Sequence, residues 1–253
     1  MAQYDSFAKR YYQERQQKKE FNWNNCIESP EMIRMVGDVK NKRIIDLGCG
    51  FGDHAEKFSE QGAREILGLD ISKKLIELAN EKGLTHAKFI VHDLNKRFPA
   101  KSNHYDIAVS SLTIHYLKEI DHFFKETHRV LKKGGFFVFS TQNPLTDSLI
   151  MKKYDLGYER IFGYKKNSKT GKREVFGDYY YEGPRTEDWG GGVKIKMYKR
   201  TYETLIKAIV RNGFNIIDYV DAKPIPSSRR LDPGLYDFTQ KVPSFCFFKL
   251  NKK

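Results

Sequence analysis

The sequence predicts an α/β fold with a mostly parallel sheet, and three observations support this prediction. Residues 43–47 form a short run of branched apolar residues that includes one acid, Asp46, and leads into a glycine-rich turn. A second apolar run, residues 66–69, ends at Asp70, and apolar residues then recur at a helical period over 117–131. The first run is too short and too β-branched for a helix, so we interpret it as a buried parallel strand that opens a βαβ unit.

The turn after the first strand contains Gly48, Gly50 and Gly52. Glycine lets the backbone turn sharply and approach a ligand at distances where a Cβ atom would clash. An acid at the end of the next strand, here Asp70, is placed to accept hydrogen bonds from the two hydroxyls of a ribose. The alternative is that Asp70 caps a helix before Ser72. The turn and the acid together predict a nucleoside-binding unit.

Asp53 distinguishes this turn from a dinucleotide site. Dinucleotide sites use the spacing G-x-G-x-x-G, because the pyrophosphate sits on a helix N-terminus. In this chain Asp53 takes the place of the third glycine, where its carboxylate would repel a pyrophosphate. The same carboxylate would tolerate or attract a ligand that carries an amino group and a sulfonium.

The motif D-L-G-C-G-F-G at 46–52 resembles the first motif of the class I S-adenosylmethionine-dependent methyltransferases, and the likeness extends over residues 43–144. The run L-K-K-G-G-F-F-V-F-S at 131–140 is typical of this family, and the fourth-strand region resembles its small-molecule group, which includes type 11 domains and enzymes of quinone biosynthesis. The resemblance implies S-adenosyl-L-methionine as the cofactor and S-adenosyl-L-homocysteine as its product. It implies methyl transfer to a small-molecule acceptor by in-line displacement.

The resemblance also implies a Rossmann-like sheet of seven mostly parallel strands, with helices on both faces and a lid inserted after the fifth strand. Its last strand should run antiparallel between the fifth and the sixth. After the two strands of the glycine loop, we place strands at 89–91, 105–111, 136–140, 214–220 and 244–250. One helix should carry Leu117, Ile120, Phe124 and Leu131 and stop at Gly134, and another, capped by Thr201, should bury Leu205, Ile206, Ile209 and Val210.

The chain is expected to divide into four parts: an N-terminal helical cover (1–38), the cofactor-binding core (39–144), a lid or substrate insertion (145–200) and the C-terminal part of the core sheet (201–253). In the cover, Ser29 is predicted to cap a helix that starts at Pro30 and ends at Val36. In the insertion, residues 173–176 and 193–198 are expected to pair as a hairpin lid.

The cofactor is expected to contact the glycine loop, the acids that follow the strands and an aromatic residue of the cover. The predicted residues are Tyr11, Asp46, Gly48, Cys49, Gly50, Asp53, His54, Asp70, Ile71, Asp93, Leu94, Ser110 and Ser111. Asp46 could equally hold the loop amides in shape, and Asp93 has the alternative role of a turn-forming aspartate. The three cysteines show no metal-ligand spacing, so no metal site is expected.

His115 is the candidate for a general base or a substrate-orienting residue. It follows the fourth strand, near the switch point where ligands bind in open α/β sheets, although it could equally cap or pack the next helix. The insertion is rich in aromatic residues, which shape pockets and exclude water, and we predict Tyr180, Trp189 and Arg200 as substrate-binding residues. An acceptor that is already a good nucleophile would need no base.

The composition gives a formal net charge of +13 over 253 residues. Lysines and arginines are spread along the chain and interleaved with acids, which favours a solvated basic surface over a nucleic-acid groove. No apolar run approaches the length of a membrane span, and the N-terminus lacks a signal-peptide pattern. Cys26, Cys49 and Cys246 are expected to be reduced thiols, in keeping with a cytoplasmic location.

Three other functions compete with this interpretation. Enzymes that methylate base amino groups often carry an Asp/Asn-Pro-Pro-aromatic motif after the fourth strand, where this chain has residues 110–113, S-S-L-T. A nicotinamide-dependent oxidoreductase is disfavoured by Asp53. A non-catalytic protein that binds S-adenosylmethionine stays open, because methyl transfer has no obligatory catalytic signature. The alternatives to a small-molecule methyltransferase are thus a nucleic-acid (RNA) methyltransferase and this non-catalytic protein.

Overall fold

The computed structural model describes residues 2–17, 19–154, 157–189 and 192–252. In these residues we number seven α-helices: α1 (Ala8–Gln16), α2 (Ser29–Val36), α3 (Asp53–Glu60), α4 (Lys73–Glu81), α5 (Ile120–Val130), α6 (Tyr202–Arg211) and α7 (Pro233–Thr239). The strands of the main sheet are β1 (Arg43–Leu47), β2 (Glu65–Asp70), β3 (Ala87–Val91), β4 (Tyr105–Ser110), β5 (Leu131–Gln142), β12 (Phe214–Asp221) and β13 (Phe245–Lys252). Between β5 and α6 lie β6 (Ile150–Tyr154), β7 (Gly157–Ile161), β8 (Gly163–Lys166), β9 (Arg173–Phe176), β10 (Gly183–Asp188) and β11 (Lys194–Lys199).

The main sheet has seven strands in the order β12-β13-β5-β4-β1-β2-β3. The strands β1 to β5 pair in parallel, whereas β13 runs antiparallel to both of its neighbours, β5 and β12. This arrangement confirms the predicted Rossmann-like α/β fold and the predicted place of its last strand. Among the described helices, none combines the length and the apolar composition needed to cross a bilayer.

Helices cover the two faces of the sheet with separate hydrophobic clusters. On one face α5 and α6 contribute Phe123, Phe124 and Ile209. On the other face α2, α3 and α4 contribute residues such as Met32 and Phe58. The fully buried side chains of both clusters make the sheet a rigid support, so the loops at its carboxyl edge hold fixed positions.

Two details differ from the sequence-based expectation at the ends of the helices. The helix α5 ends at Val130, and Leu131 already belongs to β5, because the backbone is extended from Leu131 onward. Ser29 does not cap α2, since the π-helical turn Asn24–Glu28 runs directly into it. The Ser29 hydroxyl instead accepts a hydrogen bond from Lys57 Nζ at 2.7 Å.

The helix α6 is capped as predicted, because Thr201 Oγ1 accepts a hydrogen bond from the Thr204 amide at 3.2 Å. Its buried face differs from the prediction, however. Leu205 and Ile209 are buried, but Ile206 and Val210 are exposed. The sequence of α6 is apolar on more than one face, so the period alone does not distinguish the buried face.

The insertion after β5 forms three separate antiparallel hairpins, β6–β7, β8–β9 and β10–β11. The expected pairing of residues 173–176 with 193–198 is therefore wrong. Residues 173–176 pair with Gly163–Lys166, and Lys194–Lys199 pairs with Gly183–Asp188. The last hairpin, β10–β11, packs on the N-terminal segment through Ile195 and Phe7.

Candidate active site

A cavity of about 530 Å³ lies at the carboxyl ends of the parallel strands. Most of the predicted site residues line it, although they come from distant parts of the sequence. These residues are Tyr11, Gly48, Cys49, Gly50, Asp53, His54, Asp70, Ile71, Asp93, Leu94, Ser111, His115 and Trp189. The structure thus brings these thirteen predicted residues together around one space, while their individual roles stay predictions.

The glycine loop is held on the sheet by backbone hydrogen bonds. The Gly48 and Cys49 amides both donate to the Leu69 carbonyl, at 2.7 and 3.1 Å. Gly48 has φ +84°, and a Cβ atom there would lie 2.5 Å from Thr113 Cγ2. Gly50, at φ +54°, has nothing within 4 Å of the place of a Cβ atom. Because Gly50 also lines the cavity, the missing side chain leaves room for a ligand against the backbone.

Asp70 joins the glycine loop to the start of α4. Its Oδ2 accepts a hydrogen bond from the Gly50 amide at 3.0 Å, and its Oδ1 accepts one from the Ser72 amide at 2.8 Å. The cap of α4 is Ser72 itself, whose Oγ accepts from the Leu75 amide at 3.2 Å. Burial raises the pKa of Asp70, and the two amides oppose this shift. Each carboxylate oxygen keeps a second lone pair, so ribose hydroxyls can still donate to it.

Asp53 is neutralised by two cations. Its Oδ2 accepts from Arg15 at 2.8 Å and from Lys57 at 2.9 Å. Burial favours the neutral acid, but Arg15, followed by His54 and Lys57, outweighs burial and holds the pKa of Asp53 below its usual value. Asp53 therefore ties helix α1 to helix α3, and its charge is already paired. The expectation that it attracts a cationic ligand loses its electrostatic basis.

Asp93 forms a tight turn and lines the cavity wall at the same time. Its Oδ1 accepts hydrogen bonds from the backbone amide and from the side chain of Asn95, both at 2.9 Å. Leu94 is buried beside it and gives this part of the wall an apolar surface. The turn-forming and the ligand-facing interpretations of Asp93 are therefore compatible.

Asp46 and Ser110 do not line the cavity, unlike the other predicted cofactor residues. The Asp46 side chain is buried, and its Oδ2 has no hydrogen-bond partner. Burial, followed by the charges of Asp70, Glu28 and Asp53, raises the pKa of Asp46 to about 8. Ser110 Oγ donates to the Leu47 carbonyl at 2.7 Å and thereby braces β4 against β1. Both residues thus lie outside the cavity wall, on the strands β1 and β4.

His115 lines the cavity, but its surroundings oppose protonation. The ring is buried, and its Nδ1 lies 3.3 Å from Thr141 Oγ1. Burial, together with the positive charges of Arg185 and Arg200, lowers the pKa of His115 to about 3. A ring that resists protonation this strongly is a poor general base, so hydrogen bonding to a ligand is the role that its environment favours.

A second cavity of about 390 Å³ adjoins the first. The two cavities share Trp23, Gln142, Trp189 and Phe245 as lining residues. The second cavity also contains Arg185 on strand β10, whose guanidinium lies 2.6 Å from Asp147 Oδ1 and 2.7 Å from Glu187 Oε1. Aromatic walls with a few convergent polar groups are typical of small-molecule sites.

Two of the three predicted substrate residues lie elsewhere. Tyr180 is 85% exposed and lines neither cavity. Arg200 points its guanidinium at the carbonyls of Ile114, Leu117 and Lys118, and thus holds the loop after β4 in place. Trp189 lines both cavities, as the prediction requires of a substrate-contacting aromatic residue.

Comparisons with known proteins bear on this architecture. A family model described as "Methyltransferase domain" matches residues 45–139. The crystal structure of an S-adenosylmethionine dependent methyltransferase from Mesorhizobium loti is 31% identical, with a TM-score of 0.72, over 89% of this chain and 97% of that chain. The chain belongs to the S-adenosylmethionine-dependent methyltransferases. It is thus an enzyme that uses S-adenosyl-L-methionine as its methyl donor.

Two curated proteins are similar to this methyltransferase at lower identity. An uncharacterized protein from Haemophilus influenzae is 28% identical over 202 residues, which are 76% of this chain and 75% of that protein. A ubiquinone biosynthesis O-methyltransferase from Pelagibacter ubique is 29% identical over 113 residues. That match spans 44% of this methyltransferase and 47% of the relative, so it covers less than half of either chain.

The cavity of the methyltransferase fits its methyl donor at several separate points. The backbone at Gly50 is open where a Cβ atom would intrude. Asp70 offers carboxylate oxygens at the end of β2, and Leu94 offers an apolar wall after β3, as a ribose and an adenine require. Tyr11 and the glycine loop also line the cavity.

The N-terminal segment of the methyltransferase closes this site from above. Asp5 Oδ1 accepts a hydrogen bond from Ser72 Oγ at 2.6 Å, and the Tyr4 and Tyr116 hydroxyls lie 2.8 Å apart. The Tyr4 ring also packs edge-on against Trp189 at 5.8 Å. The N-terminal segment, the loop after β4 and the insertion therefore meet over the cavity.

Sequence reasoning missed several residues that line the cavities of this methyltransferase, among them Tyr4, Trp23, Gln142, Arg185 and Phe245. One of them left a signal in the sequence. Alternate residues of a strand share a face, so Arg185 on β10 lies on the same face as Glu187, and Trp189 follows at the next position of that period. A charged residue on the inward face of a lid strand is a candidate for ligand contact.

Proposed function

We propose that this methyltransferase methylates a small-molecule acceptor held in the second cavity. The observation that carries the proposal is the continuity of the two cavities, which share four lining residues. A donor in the first cavity and an acceptor in the second would meet at this common wall. At about 390 Å³, the second cavity has the size of a site for a single small ligand.

The second cavity has the chemistry of an aromatic or otherwise planar acceptor with polar substituents. Trp23, Trp189 and Phe245 give it flat apolar walls. The side chains of Arg185 and Gln142 supply hydrogen-bonding groups at the same place. A ligand stacked on the rings would be oriented by those polar groups.

The name of one relative supports an acceptor that is methylated on oxygen. The relative from Pelagibacter ubique is named as an O-methyltransferase of ubiquinone biosynthesis. That name gives a precedent for O-methylation in a protein that is similar to the core of this chain. We therefore favour a phenolic or related hydroxyl acceptor over a nucleic acid.

The donor, when bound, supplies a methyl group already activated by a sulfonium. We infer that Asp70 accepts hydrogen bonds from its ribose, that Asp93 and Leu94 face its adenine, and that Tyr11 covers its methionine part. The residues of the cover and of the insertion would exclude water from the shared wall. For an in-line displacement the protein needs to align the donor with the acceptor and to keep water out of the site.

Tryptophan fluorescence offers a direct binding assay, because the chain has two tryptophans, Trp23 and Trp189, and both line both cavities. We expect S-adenosyl-L-homocysteine to change this fluorescence at micromolar order, and NADH to leave it unchanged. Asp70→Ala should weaken the affinity by about 1–3 kcal/mol, because the ribose loses its acceptor. Tyr180→Ala is the matched control, since Tyr180 is exposed and lines neither cavity.

Turnover then tests the acceptor. Catechol, benzoate, aniline, thiophenol and a short RNA would each be incubated with S-adenosyl-L-methionine, and release of S-adenosyl-L-homocysteine would be measured. Release with a small aromatic probe supports the proposal. Release with the RNA alone would establish a nucleic-acid methyltransferase, and cofactor binding without any release would favour a non-catalytic binding protein.

A further inference from the structure

Leu112 has a backbone conformation that leucine rarely adopts. Its φ is +46°, in the left-handed region, whereas Asn41 and Asn103, the other described non-glycine residues with positive φ, are of a type that tolerates it. Leu112 follows β4 and lies between Ser111 and Thr113, and these three residues, here called the β4 loop, all line the first cavity. Strain of this kind persists only where surrounding contacts impose it, and it concentrates at functional sites.

The Ser140 hydroxyl holds the backbone of Leu112. Ser140 lies on β5 with its side chain buried, and its Oγ accepts a hydrogen bond from the Leu112 amide at 3.0 Å. A hydroxyl has a single proton, and Ser140 donates this proton to Glu28 Oε1 at 2.7 Å. The lone pairs of Ser140 Oγ then face the Leu112 amide. Glu28 thus orients the hydroxyl as an acceptor for Leu112.

Glu28 connects the N-terminal cover to this arrangement. It lies in the turn before α2, and its side chain is fully buried. A buried carboxyl group costs free energy unless its oxygens accept hydrogen bonds, so the contact with Ser140 offsets part of that cost. Neither Glu28 nor Ser140 lines the first cavity. Their effect on a ligand in that cavity therefore passes through the residues that they hold.

The conformation of Leu112 determines where Thr113 lies. Thr113 packs so closely on the glycine loop that a Cβ atom at Gly48 would lie 2.5 Å from its Cγ2. Its Oγ1 donates to the Ser111 carbonyl at 2.9 Å and closes the turn around Leu112. Because a change of φ at Leu112 rotates the chain that follows it, an extended Leu112 would move Thr113 away from Gly48.

We propose that Ser140 and Glu28 are positioning residues for the methyl donor. Together they hold Leu112 in its left-handed conformation, and the β4 loop thereby keeps its place in the cavity wall. The proposal rests on the proposed function in one respect, that the donor occupies the first cavity, and it does not depend on the identity of the acceptor. The affinity for the donor then depends on two residues that lie outside the cavity wall.

The first test examines the parent protein, labelled with 13C and 15N in its leucines and saturated with S-adenosyl-L-homocysteine. The Cα and Cβ shifts of Leu112 report its φ, the exchange rate of its amide reports the hydrogen bond to Ser140, and Leu112→Ala assigns the signals. We expect the shifts of a left-handed residue and an amide protected from exchange. Shifts of an extended backbone, or an unprotected amide, would overturn the proposal.

The second test measures the affinity for S-adenosyl-L-homocysteine by titration calorimetry. Ser140→Ala and Glu28→Met should each weaken binding by about tenfold, because the Leu112 amide loses its acceptor or the hydroxyl loses the group that orients it. Glu28→Gln keeps an oxygen acceptor for Ser140, so its affinity should stay within about threefold of the parent value. Ser228→Ala is the matched control, because Ser228 is a buried serine that lines neither cavity.

Leu112→Gly separates this role from general structural damage. Glycine adopts a positive φ without the cost that leucine incurs, so the hydrogen bond to Ser140 should matter less in this variant. Added to Leu112→Gly, Ser140→Ala should weaken binding by at most about threefold instead of about tenfold. An undiminished loss would show that Ser140 acts by a route other than Leu112, and would overturn the proposal.

The remaining outcomes separate this proposal from the proposed function. Parent-like affinity in Ser140→Ala, or equal affinities in Glu28→Gln and Glu28→Met, would overturn the positioning role and leave the proposed function standing. If Ser140→Ala does not fold, the comparison of the two Glu28 variants decides. Failure of the parent protein to bind S-adenosyl-L-homocysteine would overturn the proposed donor site, and the positioning role with it.

Discussion

Gly48 and Gly50 belong to one loop but have different surroundings. A side chain at Gly48 would press on Thr113, whereas a side chain at Gly50 would enter only the cavity. Both residues have positive φ, which costs other residues about 1–2 kcal/mol. One loop therefore contains a glycine required by packing and another whose missing side chain leaves the cavity open.

This difference predicts different outcomes for Gly48→Ala and Gly50→Ala. Gly48→Ala adds overpacking, of about 1–3 kcal/mol, to the backbone strain. Gly50→Ala has the strain alone, so it should unfold at a higher urea concentration than Gly48→Ala. Both variants should bind S-adenosyl-L-homocysteine more weakly, measured by tryptophan fluorescence. Equal urea midpoints would show that Thr113 moves aside.

Asp46 predicts a pH dependence of stability. Its pKa lies near 8 in the folded protein against 3.8 for the ordinary group, so the folded state holds a proton that the unfolded state releases between these values. The free energy of unfolding should therefore fall as pH rises through this window, by at most about 1.4 kcal/mol per pH unit.

Asp46→Asn removes the titrating group and provides the comparison. The free energy of unfolding of the variant minus that of the parent should increase between pH 5 and 8 and level off above. Urea unfolding at several pH values measures it. A difference independent of pH would show that Asp46 is ionised in the folded protein throughout.

At the scale of elements, the cover depends on one arginine. Arg15 donates to Asn25 Oδ1 at 2.6 Å and to Asp53 Oδ2 at 2.8 Å, and its side chain is buried. It thus connects α1 to the turn before α2 and to α3. Among the described residues, few other polar contacts hold the end of α1 against the core.

Arg15→Ala should therefore loosen α1 more than the rest of the fold. Losing hydrogen bonds between charged partners should speed amide exchange in Ala8–Gln16 by an amount that corresponds to about 1.5–3 kcal/mol. Hydrogen exchange with mass spectrometry measures it. Arg34→Ala is the control, because Arg34 makes an exposed ion pair with Glu31 that contributes little. Uniform acceleration across the chain would refute the assignment.

Helices and strands could be predicted from the sequence where a local pattern of apolar residues specifies them. The buried runs of β1, β2 and β4 are continuous and apolar, and the structure confirms them. The pairing of the insertion strands was not predictable, because exposed strands such as Arg173–Phe176 lack the alternation that specifies a partner. The start of β5 was missed because Leu131 continues the helical period of α5 while its backbone is already extended.

At the scale of the whole molecule, β13 contributes to both hydrophobic clusters. Its residues alternate between the two faces of the sheet, with Phe248 in one cluster and Phe247 in the other. The Phe248 ring stacks on Phe139 of β5, with centroids 5.1 Å apart and planes 12° apart. One antiparallel strand thus joins the two layers.

Phe248→Ala should lower the free energy of unfolding by about 3–5 kcal/mol, because a large buried ring is replaced by a cavity. Ile217→Ala on the neighbouring strand β12 is the matched control. Ile217 is 52% exposed, and its loss should change stability by about 0.5 kcal/mol or less. Urea unfolding compares the two. A small effect of Phe248→Ala would mean that neighbouring rings collapse into the space.

The donor side of the site was predictable, whereas its acceptor side was not. The residues around Gly50 and Asp70 come from consecutive strands, so the order of the sheet brings them together. The wall between the two cavities instead joins Trp23 of the cover, Gln142 at the end of β5 and Trp189 of the insertion, which are distant in sequence. No local pattern encodes such contacts.

The hairpins of the insertion pair only within themselves in the described structure, and none adds a strand to the main sheet. Mutations that accumulate in such an appendage leave the register of the sheet untouched. Related proteins can therefore differ in β10–β11, which carries Arg185 and Glu187, and still share the same glycine loop and the same acid at the end of β2. The insertion can therefore change in sequence while the glycine loop and Asp70 stay the same.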